Sequence, residues 1–578
     1  MAHRKKILFT ILIIAAILRL WNLEIGDTLS DEVLYSFRAI GMLDFDEAAD
    51  QTTPLEWFDP SIPSWTKFSF HDHPPLVFAI QHLFMRVLGE TPFAFRLPSA
   101  LLGIASVYML YLIGSSLYGE RVGLLAAALM SVTANHLVIS RLGLQESYVI
   151  FFILLATYFF LKAEKQKKYY ILVGIATGFA LLTKYTTVPL APIYITYMFL
   201  FRRGDFSSRF VWVGTAFTLL IFSPVLYYNY KLYQAVGHFD FQLSYLAGQN
   251  PDVWSIQPGK EEFPTLASRA RIFFPNILYF NSWLFLSFAT ISISAFLVSL
   301  KKNMEETLRT HAFILITFAW FLLLIVGIIG PSLRFLAMLT PFLALGISSM
   351  LAQFSELQPP IFNNKNRRLE LRKYLNAHSF IICILIFEIL YSINSQLIPY
   401  PKGPKLWAWS PVRYENYHHG YEELDAWIRK QTNGRMPALA FEPTYHFITE
   451  IHKQSLAADE RTGKKPYPAL FVYDKNIQSI AQLWILDRLQ IYHAWPIITA
   501  DTYITFLNEK GADYFEKAGF TEIYYIFPTQ NVPWKKPQYL TDVGMKLEQA
   551  LIKSGLMPYT VLENKRSEPV FRIYREES

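Results

Sequence analysis

The sequence predicts a polytopic α-helical membrane protein of about eleven transmembrane helices, with a C-terminal extracytoplasmic α/β domain. Three observations carry that expectation. The 578 residues are 52% hydrophobic and only 17% charged, against about 25% charged in an ordinary soluble domain. Apolar runs long enough to cross a bilayer recur up to residue 398 and then stop. Lys and Arg gather in the short loops between those runs, where they orient a membrane protein. The net charge of +7 is thus explained by topology, and no nucleic-acid partner is expected. The single cysteine, Cys383, lies inside an apolar run, which excludes a disulfide framework and a thiolate metal cluster.

The elements follow in order. Met1 to Lys6 is basic and leads into an apolar stretch without a small-residue cleavage site before Trp21 and Asn22. A retained first helix is expected there, not a signal peptide. Spans are expected at 7–22, 93–117, 122–140, 143–162, 169–185, 187–201, 210–228, 281–300, 311–330, 333–353 and 379–398. Most match a hydrocarbon core about 30 Å thick, while the first and sixth are short. With the N-terminus in the cytoplasm, every basic short loop falls on one side. These are Arg4-Lys5-Lys6, Arg121, Lys162 to Lys168, Arg202 to Arg209, Lys301-Lys302 with Arg309, and Lys365 to Lys373. An even count of spans would break this agreement.

Two domains result. Residues 1–398 form the membrane domain, with outer loops 23–92 and 229–280, and residues 399–578 form the outer soluble domain. In the tail, apolar runs are strand-sized, at Ala438–Phe441, Ala469–Tyr473, Ile523–Phe527 and Val570–Tyr574. Helical patterns lie at Tyr421–Lys430 and Thr541–Ser554, which together read as α/β. Leu76 to Leu88 is apolar but too short to span and is expected in the membrane interface. Ser30-Asp31-Glu32 before Val33 reads as a helix start, with a capping serine and acids in the first turn.

Candidate functional residues are charged groups at the outer ends of spans, since an ionisable side chain in hydrocarbon costs about 2.5–3.5 kcal/mol at a helix centre. Asp31 and Glu32 are either a catalytic carboxylate at the membrane surface or acids favouring a helix N-terminus. His71-Asp72-His73-Pro74-Pro75 has residue types that ligate a metal or a phosphate, while its prolines fix the chain entering the next helix. Arg141 and Glu146 flank the fourth span and could equally be interfacial anchors. Lys184 and Arg334 sit at outer span ends, where basic residues are less expected. They could hold a phosphate or simply snorkel. His238 and Asp240 in the second outer loop carry the weakest signal.

Together these pieces resemble a known family. They are Leu-Ser-Asp31-Glu32-Val-Leu-Tyr35, His73-Pro74-Pro75-Leu76, Arg96-Leu-Pro98-Ser99-Ala-Leu-Leu-Gly103, Ser140-Arg141-Leu-Gly-Leu-Gln-Glu146, Gly178-Phe-Ala-Leu-Leu-Thr-Lys184, and Arg334-Phe335 leading to Pro341. Their order and outer placement over roughly residues 7–350 resemble the C-type membrane glycosyltransferases related to protein O-mannosyltransferases and to the lipid A aminoarabinose transferase. The resemblance implies transfer of one sugar from a polyprenyl-phosphate (dolichyl-phosphate-type) donor lipid to an acceptor on the non-cytoplasmic face. It implies Asp31 as the essential catalytic carboxylate, with Glu32 beside it. It places Lys184, Arg334 and Arg141 at the donor phosphate, and Glu146, His73 and His238 at the acceptor or a divalent metal. It leaves open the sugar, the acceptor, the metal and the role of the tail.

Two other readings stand beside this one. An oligosaccharyltransferase would transfer a preassembled glycan, but its Trp-Trp-Asp motif does not occur, Trp407-Ala408-Trp409 being the nearest approach. A lipid-linked sugar transporter would place charges near the bilayer midplane, whereas here they gather at outer ends.

Overall fold

The computed structural model describes residues 2–45, 53–249, 264–299, 305–355, 367–412, 418–533 and 538–577. Lys301, Lys302 and Lys365, expected on the cytoplasmic side, lie outside the described residues. The chain divides into two compact units. The first comprises Met1–Glu24 and Trp65–Tyr414, the second Ile25–Ser64 and Glu415–Ser578.

The first unit is helical, and all eleven expected apolar segments fall on helices. Among the described residues, five helices are long and apolar enough to cross a membrane: Pro92–Tyr118, Arg209–Val236, Arg309–Ile329, Leu333–Gln353 and His378–Gln396. A sixth span would be the pair Glu120–Val132 and Ala134–Arg141, which bends by 61°. Others fall short of that length. Tyr169–Thr183 has 15 residues and Glu146–Lys162 has 17, so at about 1.5 Å per residue they reach roughly 23–26 Å. Leu76–Leu88, expected at the interface, is a helix of 13 residues.

The bend at Thr133 has an identifiable chemistry. A broken helix frees carbonyls that must find other donors. Here Ser392 Oγ donates to Val132 O at 2.5 Å, and Arg19 donates to Ser131 O at 2.9 Å and Met130 O at 3.3 Å. Arg19 is fully buried, and its guanidinium also lies 2.7 Å from His136 Nδ1. Elsewhere, close backbone approach holds helices together. Gly174 on Tyr169–Thr183 faces Gly214 on Arg209–Val236, and a Cβ at either position would overlap the other helix's backbone. Thr218 Oγ1 bonds Gly174 O across the same crossing at 2.9 Å. Small residues at such crossings are how helices pack in lipid.

The second unit is α/β, and its strands are β1 (Arg435–Pro437), β2 (Lys465–Tyr467), β3 (Ala469–Tyr473), β4 (Ile497–Thr499), β5 (Glu522–Pro528), β6 (Thr560–Glu563) and β7 (Pro569–Glu577). The main sheet has the order β4-β3-β5-β7-β6, parallel across β4-β3-β5 and antiparallel across β5-β7-β6, while β1 and β2 pair separately in parallel. Every residue of β3 is buried, as a central strand covered on both faces requires. Leu470, Val472, Ile523, Tyr525 and Phe527 form one face's core. On the other face Phe471 stacks on Tyr524 at 5.4 Å, and Trp427 meets Tyr524 at the same distance. The strand expected at Ala438–Phe441 lies instead just before it, at Arg435–Pro437, with Ala438 N making a last hydrogen bond to Tyr467 O at 3.2 Å.

The domain boundary differs from the expected one. Residues 25–64, read from sequence as an outer loop of the membrane domain, belong to the α/β unit. Polar contacts explain why. The Asp27 carboxylate accepts from His419 N at 2.5 Å and Glu422 N at 2.9 Å, at the start of the helix Tyr421–Thr432. Asp59 does the same for His446 N and Phe447 N at the start of His446–Arg461. Tyr492 Oη donates to Phe37 O at 2.8 Å, with the two rings 5.0 Å apart. Hydropathy shows only that residues 25–64 are polar enough to leave the membrane, and these long-range pairings decide where they pack.

Candidate functional site

In the helical unit, charged side chains converge where three helical elements end. Glu146 opens the helix Glu146–Lys162 and Lys184 closes the helix Tyr169–Thr183, each at the end its charge favours. Arg334 sits in the one-turn helix Leu333–Leu336, after Gly330 turns the chain at a φ of +89°, a conformation suited to glycine. Lys184 Nζ donates to Glu146 Oε1 at 2.7 Å and lies 4.9 Å from the centre of the Phe335 ring. The charges of both Lys184 and Arg334 act on the Glu146 carboxylate. Glu146 and Lys184 are buried, and Glu146 Oε2 has no hydrogen-bond partner among the described residues. The structure thus brings together three of the residues singled out from sequence, two cations against one acid.

A polar chain continues outward from this group. Tyr185, next to Lys184, donates its hydroxyl to Asp240 Oδ2 at 2.6 Å. Asn229 Nδ2 donates to the same oxygen at 2.9 Å, and Leu243 N to Asp240 Oδ1 at 2.9 Å. Burial pushes the Asp240 carboxyl up to about 6, against the pull of those hydrogen bonds, and the Asp72 charge adds to the rise. The segment after Arg209–Val236 docks on the one before Leu76–Leu88 through Phe241 N, which donates to His71 O at 2.7 Å. His73 Nδ1 lies 3.0 Å from Asp72 Oδ1, and His71 Nδ1 lies 3.8 Å from the same oxygen. One carboxylate between two imidazoles is a donor set that suits hydrogen bonds and also a divalent cation. His238 is half-buried with Nδ1 on Phe239 O at 2.7 Å, and burial lowers its basicity.

Arg141 does not join the phosphate-binding candidates. Its guanidinium donates to the carbonyls of Leu18, Arg19, Trp21 and Asn22, at 2.8–3.2 Å. The end of the first helix leaves carbonyls without intrahelical donors, and a single arginine fork satisfies them.

In the α/β unit, Ser30 caps the helix Asp31–Gly41, its hydroxyl accepting from Glu32 N at 3.4 Å. Glu32 is fully buried, whereas Asp31 keeps part of its surface exposed. Of the two acids, Asp31 is the less buried. Sequence reading passed over Asp27, whose carboxyl burial pushes up to about 7. Both of its oxygens are committed to backbone N–H groups, so its task is structural. It also passed over Tyr185, Asn229 and Arg19, because no local pattern marks a single polar residue whose partner lies far along the chain.

Comparison with known proteins extends this geometry. Residues 72–228 match the family model described as dolichyl-phosphate-mannose-protein mannosyltransferase. Among solved structures, apo ArnT from Cupriavidus metallidurans superposes with a TM-score of 0.53 at 10% identity, over 98% of this chain and 97% of ArnT. This chain has the C-type membrane glycosyltransferase fold. The oligosaccharyltransferase AglB from Archaeoglobus fulgidus, in complex with an inhibitory peptide and a dolichol-phosphate, gives 0.50 at 15% identity, over 90% of this chain and 69% of AglB. By sequence, the protein YycA of Bacillus subtilis (strain 168) is 34% identical over 125 residues, 22% of this chain. Alignments to the curated relatives span only 17–25% of those proteins. The segment similar to the mannosyltransferase family holds Asp72, His73, Arg141, Glu146 and Lys184. Asp31 and Glu32 precede it, and His238 and Arg334 follow it.

Proposed function

We propose that this multi-pass membrane protein transfers a single sugar from a polyprenyl-phosphate carrier to an acceptor on the non-cytoplasmic face, with inversion at the anomeric carbon. The observation that carries the reading is the buried group of Lys184 and Arg334 around Glu146, set in a C-type glycosyltransferase fold. Two cations that both act on one buried acid are the residue types that hold a lipid monophosphate. The matched family's name carries a dolichyl-phosphate sugar, and AglB was solved with a dolichol-phosphate.

In the proposed reaction, the acceptor O–H attacks the anomeric carbon and its proton passes to the Asp31 carboxylate. The bond from that carbon to the phosphate oxygen breaks, and the carrier leaves as polyprenyl phosphate. Lys184 and Arg334 stabilise the charge that develops on the leaving oxygen, the kind of fixed electrostatics that contributes most to such steps. Glu146 acts as a positioning residue, holding Lys184 and offering Oε2 to a donor hydroxyl. A divalent cation, where one is used, would find an imidazole and a carboxylate donor close together at His71 and Asp72, and would supply Lewis-acid polarisation there. Eleven spans, a cytoplasmic N-terminus and an outer α/β unit complete this reading.

The test is transfer in reconstituted vesicles with a panel of labelled polyprenyl-phosphate sugars and membrane extract. Wild type is expected to move label from one donor to a new product, and Asp31→Asn to abolish that transfer while the protein stays folded. A chain that moves label from no donor overturns the reading. Asp31→Asn with near-normal turnover removes Asp31 as the base.

A further inference from the structure

We infer that the α/β unit carries a binding site for an uncharged saccharide, in a cavity of about 360 Å³ along the edge strand β4. The inference concerns binding without turnover, so it stands or falls apart from the transferase reading. The volume lies within the usual range for small-ligand sites, about 300–1,000 Å³.

The lining explains the choice of ligand. Tyr473, the last residue of β3, and Trp495, just before β4, give aromatic surface, and Thr499 closes β4 with a hydroxyl. Gln482 and Gln490 add two amides, and Asp487 and the exposed Glu442 add two carboxylates. Sugar hydroxyls both donate and accept, so they match a carboxylate beside amides, while the C–H face of a pyranose packs on a ring. No Lys or Arg is among the described lining residues, which disfavours a phosphate or another anion.

Two irregularities of the backbone occur in this wall. Leu483–Asp487 is a π-helical turn, a form that appears often at functional sites. Its five-residue repeat sets Gln482 and Asp487 side by side, with Gln482 Nε2 3.3 Å from both carboxylate oxygens. Ala494, also in the lining, has a φ of +58° as the left-handed cap that ends the helix Arg488–His493, its N–H donating to Leu489 O, and so turns the chain into the cavity wall. His452 Nε2 on Gln490 O at 2.9 Å ties the two helices that bound the cavity.

The experiment uses the full chain in a detergent without a sugar headgroup. Saturation-transfer NMR is recorded against neutral disaccharides of mannose, glucose and galactose, with glucuronic acid and glucosamine as charged probes. At least one neutral disaccharide is expected to bind, and Asp487→Asn to weaken it about tenfold or more, as loss of a charge-assisted hydrogen bond implies. Thr444→Trp, at an exposed lining position, is expected to block the cavity without disturbing the core. The proposal is overturned if no neutral probe binds, if binding is unchanged in both variants, or if only a charged probe binds.

Discussion

Replacing Glu146 by Gln separates a structural ion pair from a phosphate site. The Glu146 and Lys184 side chains are only 1% and 9% exposed, and they meet at 2.7 Å. Removing one partner of such a buried pair costs about 3–5 kcal/mol, because the other charge is left uncompensated. Glu146→Gln removes the acid on which both Lys184 and Arg334 act. Lys184→Met leaves Glu146 with Arg334, whose charge also reaches it. Glu146→Gln is therefore the more damaging of the two single changes in thermal unfolding of the detergent-solubilised protein. Added polyprenyl phosphate supplies the missing negative charge and should stabilise Glu146→Gln more than wild type, by mass action on the folded state. Lys184→Met with Arg334→Met should lose that ligand stabilisation, each charge-assisted contact being worth about 1.5–3 kcal/mol. If polyprenyl phosphate stabilises this double variant as much as wild type, the cations do not hold the phosphate and the cluster only shapes the fold.

Further outcomes follow from the same geometry. Asp31→Glu should lose most transfer activity, since displacing the carboxylate by one methylene spoils its approach; initial rates in vesicles decide this. Gly174→Ala drives a Cβ into the Gly214 backbone and should cost about 1–3 kcal/mol as overpacking does, read as faster thermal inactivation, while Gly204→Ala, with open space around it, should be nearly neutral. Asp27 has a folded pKa near 7, above its ordinary value of 3.8, so its contribution to stability is full below about pH 4 and is lost as pH rises through 7. His419, lowered to about 4 by burial, slopes the other way, gaining as pH rises to about 6.5. Comparing wild type with Asp27→Asn by hydrogen exchange over residues 25–45 and 418–432 cancels the histidine term. The variant should lose the Asp27 slope, and an identical pH profile would refute the assignment.

Much of the membrane unit was legible because hydrophobic runs must be helical where no water can satisfy the backbone. All eleven apolar segments are helices for that reason. The break at Thr133 was hidden, because the carbonyls it frees are repaired by Arg19 and Ser392, far apart in sequence. Lys184, Arg334 and Glu146 stood out as charges at span ends, yet their meeting depends on three elements arriving together. Arg141 carried the same local signal with a different task, since a guanidinium suits carbonyls as well as phosphates. The tail's longer strands read from strand-sized apolar runs, as at Ala469–Tyr473, whereas three-residue strands such as β4 are too short to stand out. The place of residues 25–64 rests on Asp27, Asp59 and Tyr492 reaching backbone groups across most of the chain, which no local pattern encodes.

The central claim is tested most directly with a donor labelled separately in its sugar and in its phosphate. After incubation with vesicles containing the protein and acceptor, the account predicts that the sugar label appears on a new product while the phosphate label stays on the lipid as polyprenyl monophosphate. Both labels remaining together on the lipid, even as it crosses the bilayer, would identify a transporter. Both labels moving together to the product would mean phosphosugar transfer. Either result would contradict the account.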